Sequence, residues 1–295
     1  MASEATARDD KPSSRLRLIG EAVIFRHTLF SLPFALLAIL LETDGRPPLR
    51  PLLLAILAAA AARNAANALN RVVDARIDAK NPRTARRHLP AGTLSSRALL
   101  VFSALMGMIV VVAAVLLNPM CVALLPVAAI LIGGYSYTKR FTWLCHYWLG
   151  VACAAAPMGA FLALSGHFEF RYFVLAGAVA LWVAGFDILY ALQDIDFDRK
   201  EGLHSIPARF GSRGARLLSA LSHLGTAVGL AALPLFWELS WIYLGGIAIA
   251  TALLTAEHVV VRGGTQRHVR IASYSINEII PLVVLAFGAA DIYLG

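Results

Sequence analysis

The stretch Arg63–Gly92, RNAANALNRVVDARIDAKNPRTARRHLPAG, follows directly on the apolar run PLLLAILAAAAA of residues 51–62. A helix advances by about 100° per residue, so the polar side chains of this stretch share one face about 80° wide. The residues on that face are Arg63, Asn67, Asn70, Asp74 and Asp78. Charged groups inside a bilayer are costly and usually functional. The stretch therefore predicts a membrane helix with a polar site at one end.

The composition agrees with a membrane protein. Of 295 residues, 59% are apolar and 15% are charged, and the mean hydropathy is +0.69. Soluble domains carry about 45–50% apolar and about 25% charged residues. A membrane span needs about 20 mostly apolar residues. Nine segments meet this condition: 18–41, 49–71, 97–117, 120–138, 145–165, 172–193, 215–237, 239–261 and 273–293. We predict an all-α polytopic protein with a single transmembrane domain, residues 18–295, after a disordered polar segment, residues 1–17.

The basic residues support nine spans. With a cytoplasmic N-terminus, most of the 26 Lys and Arg residues fall in cytoplasmic segments, and only Arg46, Arg50 and Arg171 fall on the opposite side. Such asymmetry is expected of membrane proteins. It also explains the net charge of +8 without nucleic acid as a partner. The chain is thus predicted to be integral to a membrane, with the polar site on the cytoplasmic face.

A second polar stripe follows the sixth predicted span, in DILYALQDIDFDRKEG of residues 187–202. Asp187, Tyr190, Asp194 and Asp198 again share one helical face. Both stripes are followed by a basic loop that ends in glycine, RRHLPAG and GLHSIPARFG. We interpret this as two repeated halves, about 18–140 and 141–295.

Carboxylates with few other ligands favour hard divalent cations, Mg²⁺ first, and Asp74, Asp78, Asp194 and Asp198 are the candidate ligands. Mg²⁺ characteristically uses one or two carboxylates and completes its shell with water and substrate phosphate. The adjoining loops contain Arg86, Arg87, His88, Lys139, Arg199 and Lys200. Carboxylates, a divalent metal and basic loops together are suited to bind a diphosphate. At a membrane surface we expect this diphosphate to belong to a lipid, and a prenyl diphosphate, with its tail between apolar helices, meets that expectation. Departure of the diphosphate would leave an allylic cation that alkylates an aromatic ring.

Four motifs resemble those of the UbiA superfamily of intramembrane prenyltransferases. NRVVDARID resembles its N-x-x-x-D-x-x-x-D motif and DILYALQDIDFD its D-x-x-Y-A-x-x-D-x-x-x-D motif. RRHLPAG resembles the R-P-L-P-x-G loop, with His88 in place of proline, and YSYTKRFT (residues 135–142) resembles the Y-x-x-x-K-R segment. The chain is most similar to the members that act as 4-hydroxybenzoate polyprenyltransferases, including those of the futalosine route to menaquinone.

The resemblance implies a helical bundle around a central cavity open to the cytoplasmic side, with Mg²⁺-dependent transfer of a polyprenyl group to an aromatic acceptor in ubiquinone or menaquinone biosynthesis. It also implies a bacterial inner-membrane location. It assigns Asn70, Asp74 and Asp78 to the first motif and Asp187, Tyr190, Asp194 and Asp198 to the second, with Lys139 beside the diphosphate. In the scheme that follows, Lys139 and Arg86 or Arg87 neutralise the diphosphate, and Asn70 and Tyr190 orient its ester oxygen or shield the cation. Lys200 is a further candidate for substrate binding.

Several alternatives remain open at this stage. Arg63 and Arg26 lie inside spans, so each requires a partner, either the acceptor's carboxylate or phenolate or a nearby acid such as Glu21. The acceptor could instead be a dihydroxynaphthoate, or the enzyme could be of the haem O or chlorophyll type. A transporter is the main alternative from another class, although its acids would be expected near the membrane midplane.

Overall fold

The computed structural model describes residues 15–23, 28–263, 268–269 and 271–295, and every regular element in those ranges is helical. The helices are α1 (Arg15–Val23), α2 (Thr28–Glu42), α3 (Leu49–Lys80), α4 (Ser96–Leu117), α5 (Pro119–Ala123), α6 (Leu125–Thr138), α7 (Cys145–Ser165), α8 (Phe170–Ala191), α9 (Ile195–Lys200), α10 (Ile206–Ala231), α11 (Trp241–Val261) and α12 (Asn277–Leu294). Two 3₁₀ turns, Leu192–Asp194 and Leu233–Leu235, and a π-helical turn, Ile271–Ile276, complete them. The all-α membrane class is confirmed.

Seven helices of the described ranges are long and apolar enough to cross a membrane. They are α3, α4, α7, α8 with its extension to Lys200, α10 with its extension to Leu235, α11 and α12. The other two predicted spans, 18–41 and 120–138, correspond to shorter helices. The first contains α1 and α2, and the second contains α5 and α6. The predicted count of nine therefore does not hold as nine long helices.

Helix ends lie where local chemistry can satisfy free backbone groups. The Asn118 side chain accepts a hydrogen bond from Cys121 N at the start of α5, and Pro119 occupies the first turn. Proline lacks a donor and is tolerated there. Gly166, at a φ of 70°, ends α7 in the left-handed conformation that glycine adopts without strain. The predicted break at Asn118–Pro119 and the span 145–165 are confirmed.

Other boundaries differ from the prediction. Helix α3 continues to Lys80, so the whole first stripe lies on one helix, whereas the predicted span ended at residue 71. Helix α10 begins at Ile206 rather than at residue 215 and bends at Gly211, which has a φ of 70°. The second stripe is not one regular α-helix, because α8 ends at Ala191 and a 3₁₀ turn carries Asp194. Of the predicted disordered segment, residues 15–17 are helical and residues 1–14 lie outside the described part.

Helix α8 is the centre of the bundle. Of its most apolar 18-residue window, 61% is buried, against 17% for α4. It packs against α7 on one side and α10 on the other, while α2 packs against α7 and α12. Trp182 of α8 is fully buried and donates to Asn277 of α12, which donates to Glu257 of α11. These hydrogen bonds satisfy buried polar groups and fix how the helices of the second half meet.

Glycine permits the closest contact between α7 and α8. A Cβ added at Gly150 would lie 2.2 Å from the backbone oxygen of Ala180, far inside normal contact. We expect Gly150→Ala to destabilise the bundle by about 1–3 kcal/mol, because a backbone atom cannot give way as a side chain can. Thermal unfolding in detergent measures this change. Gly159→Ala on the same helix is the matched control, since nothing lies within 4 Å of its added Cβ, and an equal loss in both variants would contradict the prediction.

Candidate active site

Asp74, in the first stripe, is buried and receives hydrogen bonds from two helices. Asn70 Nδ2 lies 2.9 Å from its Oδ2, one turn earlier on α3. Lys139 Nζ lies 3.0 Å from the same oxygen, and Arg140 Nη2 lies 3.4 Å from Oδ1. Both cations come from the end of α6. The structure therefore brings Asn70, Asp74 and Lys139, which the sequence predicted as site residues, into one cluster.

Asp194, in the second stripe, is held by an arginine in a two-point contact. Arg83 Nε donates to Oδ1 at 3.0 Å and Nη2 to Oδ2 at 2.5 Å. Arg83 Nη1 also donates to the Tyr190 hydroxyl at 2.6 Å, and its guanidinium carbon lies 5.0 Å from the Tyr190 ring centroid. Asn81 Nδ2 adds a further hydrogen bond to Asp194 Oδ1 at 2.9 Å. Such paired contacts between arginine and carboxylate are strong and fix orientation.

These contacts join the two stripes. Asn81 and Arg83 lie just after α3, whereas Asp194 lies just after α8. A third link, between Lys80 Nζ and Glu201 Oε2 at 2.5 Å, connects the far ends of the same two segments. The two aspartate-bearing helix ends therefore face one another at the same end of the bundle.

Asp78 lies between two arginines. Arg87 Nη1 donates to both of its carboxylate oxygens, at 2.9 and 2.7 Å, and Arg71 Nη1 lies 3.6 Å from Oδ2. Arg71 and Arg87 also line a small pocket of about 180 Å³ with Arg86 and His88. Arg86 and Arg87, both predicted from the sequence, thus lie on the side of α3 where Asp78 is found.

Asp198 and Asp187 have neutral or histidine partners instead. Ser205 Oγ donates to Asp198 Oδ2 at 2.7 Å, and both residues are buried. His146 Nδ1 lies 2.7 Å from Asp187 Oδ2. All seven motif residues predicted from the sequence therefore make specific polar contacts.

The balance of charge differs from what the carboxylates alone suggest. Five cationic side chains pair with the carboxylates of Asp74, Asp78 and Asp194, and these are Arg71, Arg83, Arg87, Lys139 and Arg140. They equal in number the five aspartates of the two motifs, Asp74, Asp78, Asp187, Asp194 and Asp198. The carboxylates of the site are therefore balanced by cations before any metal binds, and they do not repel an anion as they would alone.

The donor set fits Mg²⁺, although not as a site built from protein ligands alone. No group of three His, Cys, Asp or Glu side chains in the described ranges is arranged to hold a metal ion. Mg²⁺, however, is usually bound through one or two carboxylates together with substrate phosphates and water. Carboxylate oxygens on both stripes, next to cations that suit a diphosphate, meet that requirement.

An apolar cavity of about 510 Å³ lies between α3, α4, α6, α7 and α8. Arg63 and Tyr135 are the two most polar side chains on its wall. Arg63 Nη1 lies 2.9 Å from Cys153 Sγ, and its Nε is buried without a hydrogen-bond partner in the described part of the chain. Asn70 lies two turns along α3 from Arg63, so the cavity adjoins the polar cluster.

Two predicted residues, Asn67 and Lys200, lie apart from these clusters. Asn67 Nδ2 donates to the backbone oxygen of Val23, so Asn67 ties α3 to α1. Lys200 is exposed at the end of α9. Arg26, considered as an acceptor-binding residue, lies outside the described residues.

Sequence reasoning missed Arg83, Asn81, His146 and Ser205 as site residues. Arg83 belongs to the basic loop after the first motif, but only Arg86 and Arg87 adjoin the LPAG turn that resembles the family loop. His146 lies 41 residues before Asp187 in the sequence, whereas Ser205 lies only seven residues after Asp198, in the loop GLHSIPARFG, where it could have been found. Only the packing of α7 against α8 brings His146 close to Asp187.

An all-helical membrane bundle with a cluster of paired cations and carboxylates beside an apolar cavity is the design of a protein that handles a charged, lipid-like molecule within the membrane. Residues 31–277 match the model of the UbiA prenyltransferase family. The chain belongs to this family and is a prenyltransferase, which removes the support for the transporter alternative.

Curated relatives and solved structures agree with the family. The chain is 29% identical over 277 residues to the 4-hydroxybenzoate octaprenyltransferase of Aliivibrio fischeri (strain MJ11), covering 94% of each chain. It is 30% identical to the enzyme of the same name from Nitrosospira multiformis, over 88% of this chain and 84% of that one. The apo structure of a UbiA homologue from Aeropyrum pernix K1 aligns with a TM-score of 0.82 at 32% identity, covering 88% of this chain and 96% of the other. A UbiA homologue from Archaeoglobus fulgidus bound to GPP and Mg²⁺ shares the fold, with a TM-score of 0.66 at 20% identity over 96% of this chain and all of that one.

Proposed function

We propose that this protein transfers a polyprenyl group from a prenyl diphosphate to an aromatic acid similar to 4-hydroxybenzoate, in a Mg²⁺-dependent reaction of quinone biosynthesis. The observation that carries the proposal is the joining of the two stripes by Arg83, which pairs with Asp194 and Tyr190. This pairing creates one site, with both cations and carboxylates, next to an apolar cavity. The names of the curated relatives support the acceptor, and the Archaeoglobus fulgidus structure bound to GPP and Mg²⁺ supports the donor and the metal.

In this scheme, the diphosphate binds among Lys139, Arg83 and Arg87, and the prenyl chain lies in the apolar cavity. Asp74 or Asp78 on one side and Asp194 or Asp198 on the other would hold Mg²⁺. The metal, when bound, supplies positive charge that stabilises the departing diphosphate. Lys139, already placed beside Asp74, neutralises further charge on the leaving group.

The remaining polar residues serve the allylic cation and the acceptor. The Tyr190 ring, with Arg83 over it, and the Asn70 amide face the departing group in this scheme. Arg63 binds the acceptor's carboxylate, since its buried Nε has no hydrogen-bond partner among the described residues and the Cys153 thiol is a weak one. The ring carbon attacks C1 of the prenyl group and then loses its proton, which restores aromaticity. We place this site on the cytoplasmic face of the bacterial inner membrane, following the distribution of basic residues.

The proposal is tested with purified protein in nanodiscs, Mg²⁺ and radiolabelled geranyl to octaprenyl diphosphates. Each donor is offered 4-hydroxybenzoate or a dihydroxynaphthoate, and products are separated by chromatography. We expect a prenylated 4-hydroxybenzoate whose formation stops with EDTA and resumes with Mg²⁺. Transfer to the dihydroxynaphthoate alone would contradict the proposed acceptor, and no transfer from any prenyl diphosphate would contradict the proposed reaction.

The acceptor role of Arg63 gives a separate prediction. We expect Arg63→Gln to raise the KM for 4-hydroxybenzoate by about tenfold to a hundredfold, the usual loss when a charged partner of a carboxylate is removed. The KM for the prenyl diphosphate should change less than threefold, because Arg63 lies on the cavity wall rather than among the cations that pair with the aspartates. Steady-state kinetics with each substrate varied in turn measures both constants. Equal increases in the two KM values would argue against acceptor binding by Arg63.

A further inference from the structure

The start of helix α10 contacts three separate parts of the site. Four consecutive residues, Leu203–Ile206, follow α9 and end at the first residue of α10. They include the buried Ser205 and Ile206. His204 N donates to the backbone oxygen of Lys139 at 2.6 Å, and Leu203 N donates to the backbone oxygen of Asp198 at 2.8 Å. The segment therefore links the end of α6, which carries Lys139, to α9, which carries Asp198.

Ser205 has two roles at once. Its hydroxyl accepts a hydrogen bond from Ala208 N and thereby caps α10. The single hydroxyl proton is then free for donation, and Ser205 Oγ donates it to Asp198 Oδ2 at an oxygen–oxygen distance of 2.7 Å. Both oxygens are buried, so the cap of α10 also fixes the orientation of the Asp198 carboxylate.

Ile206 extends the same arrangement to Asp187. Ile206 N donates to His146 Nε2 at 3.3 Å, so that ring nitrogen is an acceptor and carries no proton. The neutral ring then has its proton on Nδ1, which lies 2.7 Å from Asp187 Oδ2. The backbone of α10 thus fixes the tautomer of His146, and His146 in turn holds one oxygen of Asp187.

We propose that the segment Leu203–Ile206 is a positioning element. It fixes the positions of Lys139 and Asp198 relative to each other and, through His146, that of Asp187. Ser205 and His146 are its positioning residues. The inference rests on the proposed function, since it assumes that Asp198 contributes to metal-dependent binding of a diphosphate. Hydrogen bonds from fixed neighbours restrict carboxylates to one orientation, which is how outer residues tune metal sites and catalytic groups.

Ser205→Gly tests the link to Asp198. Glycine is nearly as good a cap as serine but lacks the hydroxyl, so the change removes the contact to Asp198 with little effect on the helix. Ser95→Gly is the matched control, because Ser95 caps α4 in the same way through Ala98 N. We expect Ser205→Gly to raise the Mg²⁺ concentration for half-maximal activity about tenfold, the loss expected for a hydrogen bond to a charged group. It should also reduce the rise in Tm caused by MgCl₂ plus inorganic pyrophosphate, whereas Ser95→Gly should change neither.

His146→Gln tests the link to Asp187. The glutamine amide can still accept from Ile206 N, but it cannot reproduce the Nδ1 donor. We expect a roughly tenfold lower kcat with the Mg²⁺ dependence unchanged, because Asp187 is not one of the four candidate metal ligands. This result also decides the proposal if Ser205→Gly does not fold.

The outcomes distinguish failure of the proposed prenyl transfer from failure of the positioning roles of Ser205 and His146. A wild-type protein that neither transfers a prenyl group nor gains Tm with MgCl₂ and pyrophosphate would overturn the proposed function. An active wild type for which Ser205→Gly equals Ser95→Gly would overturn the positioning role of Ser205 alone. An unchanged kcat in His146→Gln would contradict the proposal that the segment Leu203–Ile206 positions Asp187 through His146.

Discussion

Asp194→Asn is expected to lower prenyl transfer by on the order of a thousandfold, as removal of a charge that acts in the transition state commonly does. Asparagine keeps the shape of the side chain but loses the negative charge. Arg83 would then lose the two-point contact at 3.0 and 2.5 Å that joins the two stripes. In our scheme, the same change also removes one carboxylate from the metal. Asp74→Asn should act similarly, since Asp74 holds Lys139.

The measurement is turnover of radiolabelled prenyl diphosphate by purified variants in nanodiscs. Asp196→Asn is the matched control, because Asp196 lies two residues away, is exposed and is off the shared helical face. It should retain near-normal turnover. A buried cation without its partner can destabilise a fold, so each variant's Tm is measured in parallel. Near-normal turnover in Asp74→Asn or Asp194→Asn would contradict the metal scheme.

The elements predicted most accurately from the sequence are those fixed by local chemistry. The limits of α7 follow from a long apolar run that ends in SGH, where Gly166 can adopt a positive φ. The break before Pro119 follows from a missing donor. The stripes follow from helical periodicity alone, and the first one is indeed on a single helix, α3.

What the sequence could not give is the pairing between distant residues. Asp78 contacts Arg87 nine residues away, which sequence proximity suggests, but Asp194 contacts Arg83 from the other half of the chain. The His146–Asp187 contact depends on how α7 packs against α8, where Gly150 allows close approach. Such contacts are set by tertiary packing, which no periodicity encodes. For the same reason, Asn67 shares the helical face of Asp74 yet turns to Val23.

The boundary errors have a related cause. The predicted span 49–71 ends where the density of charged residues rises, whereas α3 continues to Lys80. A helix can leave the apolar layer without ending, because its carboxylates are neutralised by cations from neighbouring segments. In α3 those cations are Lys139 for Asp74 and Arg87 for Asp78.

Arg83→Lys is expected to lower kcat/KM for the prenyl diphosphate by roughly a hundredfold, although it conserves the charge. Arg83 makes three contacts at once, two to Asp194 and one to the Tyr190 hydroxyl. A lysine ammonium is a point charge that cannot reproduce this planar set of donors. The loss should therefore come from geometry, with Asp194 and Tyr190 no longer held against the loop after α3.

Comparison with Arg83→Gln separates geometry from charge. If the guanidinium's shape is decisive, lysine and glutamine variants should be similarly impaired, and raising the Mg²⁺ concentration should not restore either. Arg76→Gln, at an exposed position on α3, controls for loss of one positive charge near the site and should be near normal. A lysine variant with wild-type kcat/KM would show that Arg83 acts through its charge alone. The three guanidinium hydrogen bonds that join the two stripes would then have no role in the reaction.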